Sequence, residues 1–297
     1  VLPNYNHSLF LEKALNDILA QSFQPKEIIV IDDGSTDNSV EIIKEIARTN
    51  ASVRFLRNEI NQGIFYSTTR ALKLSTGDYI YFAGADDLIY SGFFERSMHL
   101  LTRFPHAGLC SSIAESLEAD GVRIKPVTND ISLKECYISP EESIKLLQRR
   151  RAWMGGSTTI FRREAFTGAG GFNPELGPYC DIFLEMVVAL KYGVCFIPST
   201  MGGQRLYESS YSAKDKSNVD FHIQIYSKAE NLMLTTYKEL FPVDFVSAWK
   251  AREIFLAKVS ALRNIQRQEL AVIRGLFTKS HLIDQLVVIL MKLSQQV

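Results

Sequence analysis

Hydrophobic positions in the first third of the chain switch between helical spacing and short apolar runs. Over residues 9–22, Phe10, Ala14 and Ile18 recur near the 3.6-residue period that predicts a helix. Residues 27–31 form a β-branched run, typical of a parallel strand buried on both faces. The same signals recur as strands over 53–56 and 78–83 and as a helix over 63–74. This order, with short connections, predicts an α/β protein with a doubly wound, mostly parallel sheet.

The remainder of the chain is less regular. Its middle part predicts strands over 108–113 and 158–161 and helices over 140–147 and 181–192. Residues 216–297 have almost no strand signal and read as helices. We therefore expect one α/β domain over 1–215 and a helical C-terminal region over 216–297.

Composition excludes several classes of protein. The 297 residues include 33 Lys+Arg and 33 Asp+Glu, so no basic excess supports nucleic-acid binding through bulk charge. No run reaches the roughly 18–20 apolar residues that span a bilayer. Four widely spaced cysteines predict free thiols in a reducing compartment, which indicates a cytoplasmic protein. The opening residues 1–3 look like the end of a strand, and we expect further residues of that strand to precede them.

Polar side chains follow the predicted strands at their carboxyl ends. Tyr5 follows the first strand and offers a ring on which a base can stack, and Asp33 follows the second. Asp86 and Asp87 follow the fourth strand and offer hard oxygen ligands for a divalent cation. Each feature alone is more often a turn or a helix cap, but carboxyl ends of parallel strands meet at one sheet edge, where ligands bind.

Known phosphate-binding loops are absent. The sequence has neither GxGxxG nor GxxxxGK[ST], so a bound nucleotide would need a metal ion to neutralise its phosphates.

An ordered set of motifs resembles glycosyltransferase family 2. The motifs are PNYN, EIIVIDDGSTDNS, NQG, STGDYIYFAGADD, GGSTTIFRREAF and GGFN. The resemblance covers residues 1–210 and implies an inverting enzyme of the GT-A fold that uses a nucleotide-diphospho-sugar. It further implies a nucleotide-binding half over 1–105 and an acceptor-binding half over 106–215.

The resemblance assigns nucleotide contacts to the N-terminal half. Tyr5 would stack on the base, Asp33 would accept from its imino N–H, and Pro3 would contact it through the backbone. Asp86 and Asp87 match the acidic element that holds the ribose and a manganese or magnesium ion on the diphosphate.

The resemblance assigns transfer to the second half. Gly156 and Ser157 match the segment that lines the donor sugar and the acceptor. Asp181, in the first turn of a predicted helix, matches the catalytic base; its alternative role is a helix cap. Arg205 would contact the diphosphate.

Three positions depart from the family pattern. Gly84 stands where many members have an Asp, Cys180 where a Glu often precedes the base, and Tyr207 where a His is common. They leave open a catalytically degenerate carbohydrate-binding or scaffold protein. A sugar-nucleotide nucleotidyltransferase is a weaker alternative, because such enzymes are expected to open with a glycine-rich basic loop.

The C-terminal tail is basic. Residues 241–297 contain eight Lys or Arg and four Asp or Glu. Phe255, Val259 and Leu262 form one apolar stripe at helical spacing, and residues 282–290 form another. The stripes could pack on the catalytic domain, on a second subunit, or on an anionic membrane.

We expect the protein to transfer a sugar from a UDP-sugar to a glycan or lipid-linked acceptor in cell-surface polysaccharide synthesis. We expect no nucleic-acid partner, and a location in the cytoplasm or at the inner face of the membrane.

Overall fold

The protein folds into two compact units in a computed structural model. The structure describes residues 1–118, 120–125, 131–149, 154, 156–206 and 218–276. The first unit comprises Val1–Leu147, Arg151–Pro174 and Tyr179–Tyr207, and the second comprises Gln148–Arg150, Glu175–Pro178 and Glu208–Val297.

The first unit begins with alternating strands and helices, as the apolar pattern predicts. The elements are β1 Leu2–Asn4, α1 Ser8–Leu19, β2 Ile28–Asp32, α2 Ser39–Thr49, β3 Val53–Arg57 and α3 Ile64–Leu74. The three strands are parallel in the order β1-β2-β3. One face of β2 packs with Ile43 of α2 and the other with Ala71 of α3. Helices on both faces explain why every residue of β2 is buried.

The rest of the first unit forms a mixed sheet. Its elements are β4 Tyr79–Tyr81, β5 Leu88–Ile89, α4 Phe93–Arg103, β6 Leu109–Leu117, β7 Arg123–Lys125, β8 Cys136–Ile138, α5 Pro140–Arg149, β9 Thr159–Arg162, α6 Arg163–Gly168, α7 Cys180–Tyr192 and β10 Val194–Arg205. The strand order is β4-β9-β6-β10-β5; β10 is parallel to β6, and the other pairs are antiparallel. The α/β class is thus confirmed, with the parallel strands concentrated in the motif-rich N-terminal part.

Backbone contacts align the two sheets beside each other. The N–H of Ala83 donates to the carbonyl of Val1 at 2.9 Å, just beyond β4. The acidic residues that follow β4 therefore lie at the same edge as the loop that follows β1.

The apolar pattern did not predict β10. Pro198 and the pair Gly202 and Gly203 interrupt its alternation, and the pairing with β6 shifts register between Ile197 and Gly202. An irregular strand of this kind has no clean two-residue period, so only its pairing identifies it.

The described part of the second unit contains two helices, α8 Val219–Leu234 and α9 Val243–Leu276. Tyr226 and Trp249 join them edge to face with ring centroids 5.9 Å apart. The buried face of α9 runs through Trp249, Glu253, Ala257 and Ala261, at four-residue spacing. Phe255 of the predicted apolar stripe is 53% exposed, so it does not belong to this buried face.

The second predicted stripe, over 282–290, lies outside the described residues. Among the helices that the structure describes, none is long and apolar enough to cross a membrane.

Candidate functional site

In the loop after β1, Tyr5 lies between two asparagines whose side chains are held by hydrogen bonds. Asn4 Nδ2 donates to Asp32 Oδ1 at 3.0 Å. Asn6 has a left-handed backbone with φ of 57°, and its Oδ1 accepts from the backbone N–H of Thr36 at 2.8 Å. The Tyr5 ring is 42% exposed. An accessible ring on a rigid loop suits stacking on a planar partner, because little conformational entropy is lost on binding.

Asp33 ties a neighbouring loop to the end of β2. Its Oδ1 accepts from Asn58 Nδ2 at 2.6 Å and from the N–H of Gln62 at 2.9 Å, and its Oδ2 accepts from the N–H of Gly63 at 2.8 Å. A carboxylate oxygen has two acceptor positions, so Oδ2 keeps one for a further donor. Pro3 lies two residues before Tyr5 in β1, opposite Ile31 of β2. The structure thus brings the three predicted base contacts to one sheet edge.

Gly84 makes room for the carboxylates that follow β4. A Cβ at Gly84 would lie 2.6 Å from Asp87 Oδ2 and 3.2 Å from Asp86 Oδ1. Burial, and then the charge of Asp86, raise the pKa of Asp87 to about 8, while Arg205 acts in the opposite direction. The departure at Gly84 therefore has a steric reason, since a side chain there would displace the acidic pair.

The pair of carboxylates fits a hard divalent cation. Two adjacent half-buried acidic groups gain from positive charge between them. Within the described ranges, no group of three or more His, Cys, Asp or Glu is arranged to hold a metal ion. A cation bound by Asp86 and Asp87 would thus need further oxygens from a diphosphate and from water, the usual situation for Mg²⁺.

Arg205 ends β10 beside this acidic pair. Its guanidinium carbon lies 4.9 Å from the centroid of the Phe10 ring, and its backbone N–H donates to the Asp87 carboxylate. The predicted diphosphate contact thus adjoins the predicted cation site. Tyr207, the departure two residues further on, lies outside the described residues.

Gly156 and Ser157 lie in a 3₁₀ turn, Gly156–Thr158, that contacts Asp181. A Cβ at Gly156 would lie 2.6 Å from Asp181 Oδ2. The Tyr81 hydroxyl donates to the carbonyl of Ser157 at 2.9 Å. Burial, and then the charge of Asp87, raise the pKa of Tyr81. Tyr81 therefore links the turn that meets Asp181 to the strand that leads into the acidic pair.

Asp181 lies in the first turn of α7 and is half-buried. Its Oδ1 accepts from the N–H of Ile182 at 2.7 Å. Burial raises the pKa of Asp181. Glu185, one turn further along α7, is fully buried, and burial followed by the charge of Asp181 raises its pKa to about 8. Glu185 is not among the residues that the sequence predicts for the site, although an ionisable residue inside the apolar run 183–190 is a signal that could have identified it.

Comparison with known proteins identifies relatives of this chain. The family model described as Glycosyl transferase family 2 matches residues 1–167. An uncharacterized glycosyltransferase of Haemophilus influenzae is 25% identical over 232 residues, which are 78% of this chain and 88% of that protein. The uncharacterized glycosyltransferase alr2836 of Nostoc sp. is 33% identical over 66% of this chain. The match spans 62% of the Nostoc protein, less than two thirds of its length.

Solved structures share the fold at low sequence identity. Staphylococcus aureus TarS 1-349 in complex with UDP-GlcNAc has a TM-score of 0.60 and 14% identity over 92% of this chain and 90% of that one. The mannosyltransferase PcManGT from Pyrobaculum calidifontis, in complex with GDP-Man and Mn²⁺, has a TM-score of 0.58 and 18% identity over 94% of this chain and 79% of that one. The expected GT-A fold is thereby confirmed.

Proposed function

Because the chain belongs to glycosyltransferase family 2, and is therefore a glycosyltransferase, we propose that it is an inverting enzyme with a nucleotide-diphospho-sugar donor. The proposed donor is a UDP-sugar, and the proposed acceptor is a hydroxyl of a glycan or lipid-linked molecule in cell-surface polysaccharide synthesis. The observation that carries the proposal is the contact of Asp181 Oδ2 with the Gly156 turn, which Tyr81 links to Asp86 and Asp87.

We assign Asp181 as the base of an inverting transfer. It would take the proton of the acceptor hydroxyl while the hydroxyl oxygen bonds to the anomeric carbon and the bond from that carbon to the diphosphate breaks. A higher pKa makes a carboxylate a stronger base, and burial raises the pKa of Asp181. Gly156 supports this role, because the absent side chain leaves space for an acceptor beside Oδ2.

We assign the nucleotide to the edge formed by the first strands. Tyr5 would stack on the base, which Asp33 and Pro3 would contact, and Arg205 would bind the diphosphate. A divalent cation held by Asp86 and Asp87 would supply positive charge beside the leaving diphosphate. The UDP-GlcNAc of TarS and the GDP-Man and Mn²⁺ of PcManGT support this donor class.

The alternative of a catalytically degenerate scaffold protein rested partly on Gly84, which stands where many family members have an acidic residue. That argument is weakened, because the absence of a side chain at Gly84 makes room for the Asp87 carboxylate.

We further propose that the enzyme acts in the cytoplasm. Residues 241–297 would provide a peripheral membrane contact or a contact between subunits.

Two measurements test the proposed function. A thermal-shift panel of UDP-sugars and GDP-sugars, with and without Mn²⁺, should show a Mn²⁺-dependent rise in melting temperature for the donor, because a ligand that binds only the folded state stabilises it. Asp181→Asn should abolish transfer and retain donor binding. Asp220→Asn is the matched control, because Asp220 is an exposed aspartate in the first turn of α8. Turnover at the wild-type rate in Asp181→Asn would refute the assignment of the base.

A further inference from the structure

Glu185 is a buried carboxyl group to which the transfer reaction assigns no role. Its side chain is 0% exposed, inside the fully buried stretch of α7. Thr159 of β9 faces the carboxyl group and favours its ionised form. In the described part of the chain, neither carboxyl oxygen has a hydrogen-bond partner of ordinary length. A buried group of this kind costs free energy, most of all when it is ionised.

Glu185 and Asp181 form an acidic pair on one face of α7. Residues four apart on a helix are neighbours, and two negative charges at that spacing repel each other. Among the described residues, Cys180 of the same helix also interacts electrostatically with both carboxyls. Two interacting carboxyls in a buried site hold one proton between them over a wide pH range.

Hydrogen bonding decides which carboxyl carries that proton. Asp181 Oδ1 accepts from a backbone N–H at 2.7 Å, which stabilises its ionised form. The Thr159 hydroxyl faces Glu185, but no described donor reaches the Glu185 carboxyl at ordinary hydrogen-bond length. The proton therefore belongs to Glu185, and the negative charge belongs to Asp181, whose Oδ2 meets the Gly156 turn.

We propose, resting on the function proposed above, that Glu185 is a positioning residue: it holds the proton of the buried pair and thereby keeps Asp181 ionised and facing the acceptor. During transfer the acceptor proton moves to Asp181, the acceptor oxygen bonds to the anomeric carbon, and the diphosphate leaves with the electron pair of the broken bond. Glu185 keeps its proton throughout. Asp181 then releases the acquired proton to water.

The first test is the pH profile of kcat/KM, with Mn²⁺ and UDP-GlcNAc as the probe and released UDP as the signal. In the wild type, rising pH removes the Glu185 proton; Asp181 stays ionised, but the repulsion between the two carboxylates turns it away from the acceptor, so activity should fall above pH of about 8. At pH 9 about one tenth of the plateau should remain. The glutamine side chain introduced by Glu185→Gln cannot lose a proton. With kcat/KM of each protein expressed as a fraction of its own plateau value, Glu185→Gln should therefore be about tenfold more active than the wild type at pH 9.

The control is Glu253→Gln, which removes a second buried glutamate, 3% exposed in α9. The kcat/KM of this control should fall at the same alkaline pH as that of the wild type. If the kcat/KM of Glu185→Gln falls at the same alkaline pH as that of the wild type, the proposal is overturned. If Asp181→Asn retains turnover, the base assignment fails instead, so the two failures are distinguishable.

A second test needs no substrate. The infrared difference spectrum of the wild type minus Glu185→Gln at pH 7 should contain the carbonyl band of a protonated carboxyl group, and this band should vanish above pH 9. A spectrum that shows only an ionised carboxylate at pH 7 would overturn the proposal.

Discussion

Replacing Glu185 with Gln should make the protein more stable at alkaline pH than the wild type. Burial raises the pKa of Glu185 from the ordinary 4.5 to about 8, so the folded chain binds this proton more tightly than the unfolded chain. The stability that the proton contributes is complete below pH 4.5 and is lost as pH rises to about 8. Glutamine resembles the protonated carboxyl and does not titrate.

The magnitude follows from the two pKa values. The difference between 4.5 and about 8 corresponds to about 5 kcal/mol at most, and about 4 kcal/mol of it falls between pH 5 and pH 9. The free energy of unfolding of Glu185→Gln relative to the wild type should therefore rise by about 4 kcal/mol over this interval.

Urea unfolding followed by far-ultraviolet circular dichroism at pH 5 and pH 9 measures this change. Glu239→Gln is the control, because the Glu239 side chain is 88% exposed and its relative stability should stay level. A change below about 1 kcal/mol in Glu185→Gln would refute the reasoning, since it would mean that the folded chain accommodates an ionised Glu185 at little cost.

Three further substitutions test the site. Gly156→Ala places a Cβ 2.6 Å from Asp181 Oδ2, so turnover should fall about 100-fold. Calorimetry should still detect UDP binding. Loss of both turnover and UDP binding would contradict the assignment of Gly156 to the acceptor side of the site. Gly84→Ala places a Cβ 2.6 Å from Asp87 Oδ2 and should weaken Mn²⁺ binding about tenfold in a titration with UDP present. An unchanged Mn²⁺ affinity would exclude a cation site at Asp86 and Asp87. Tyr81→Phe loses its 2.9 Å hydrogen bond, so urea unfolding should show a stability loss of about 1 kcal/mol, and wild-type stability would show that the bond contributes nothing.

The N-terminal half of the site was predictable from the sequence because its signals are local. Tyr5 and Asp33 directly follow strands whose apolar runs are visible in the sequence, and parallel strands end at one sheet edge. Asp86 and Asp87 stand in the turn that follows β4, five and six residues beyond its last residue, Tyr81. The steric role of Gly84 was not predictable, because its contact with Asp87 depends on how the chain turns after β4.

The second half of the site required the family resemblance. Asp181 has the sequence context of an ordinary helix cap, and its contact with Gly156 joins residues that no periodic pattern relates. Arg205 ends a strand that the apolar pattern did not predict, and its proximity to Asp87 follows from the pairing of β10 with β5 and β6.

By itself, the sequence determined the alternating strands and helices, the polar edge of the parallel sheet and the membership in a glycosyltransferase family. These depend on short-range periodicity, turn chemistry and ordered motifs. Tertiary structure alone decided that Gly84 makes room for Asp87 and that Glu185 is a buried partner of Asp181. The physical reason is that steric contact and the desolvation of a charge depend on atoms from distant parts of the chain, and periodicity along the sequence carries no record of them.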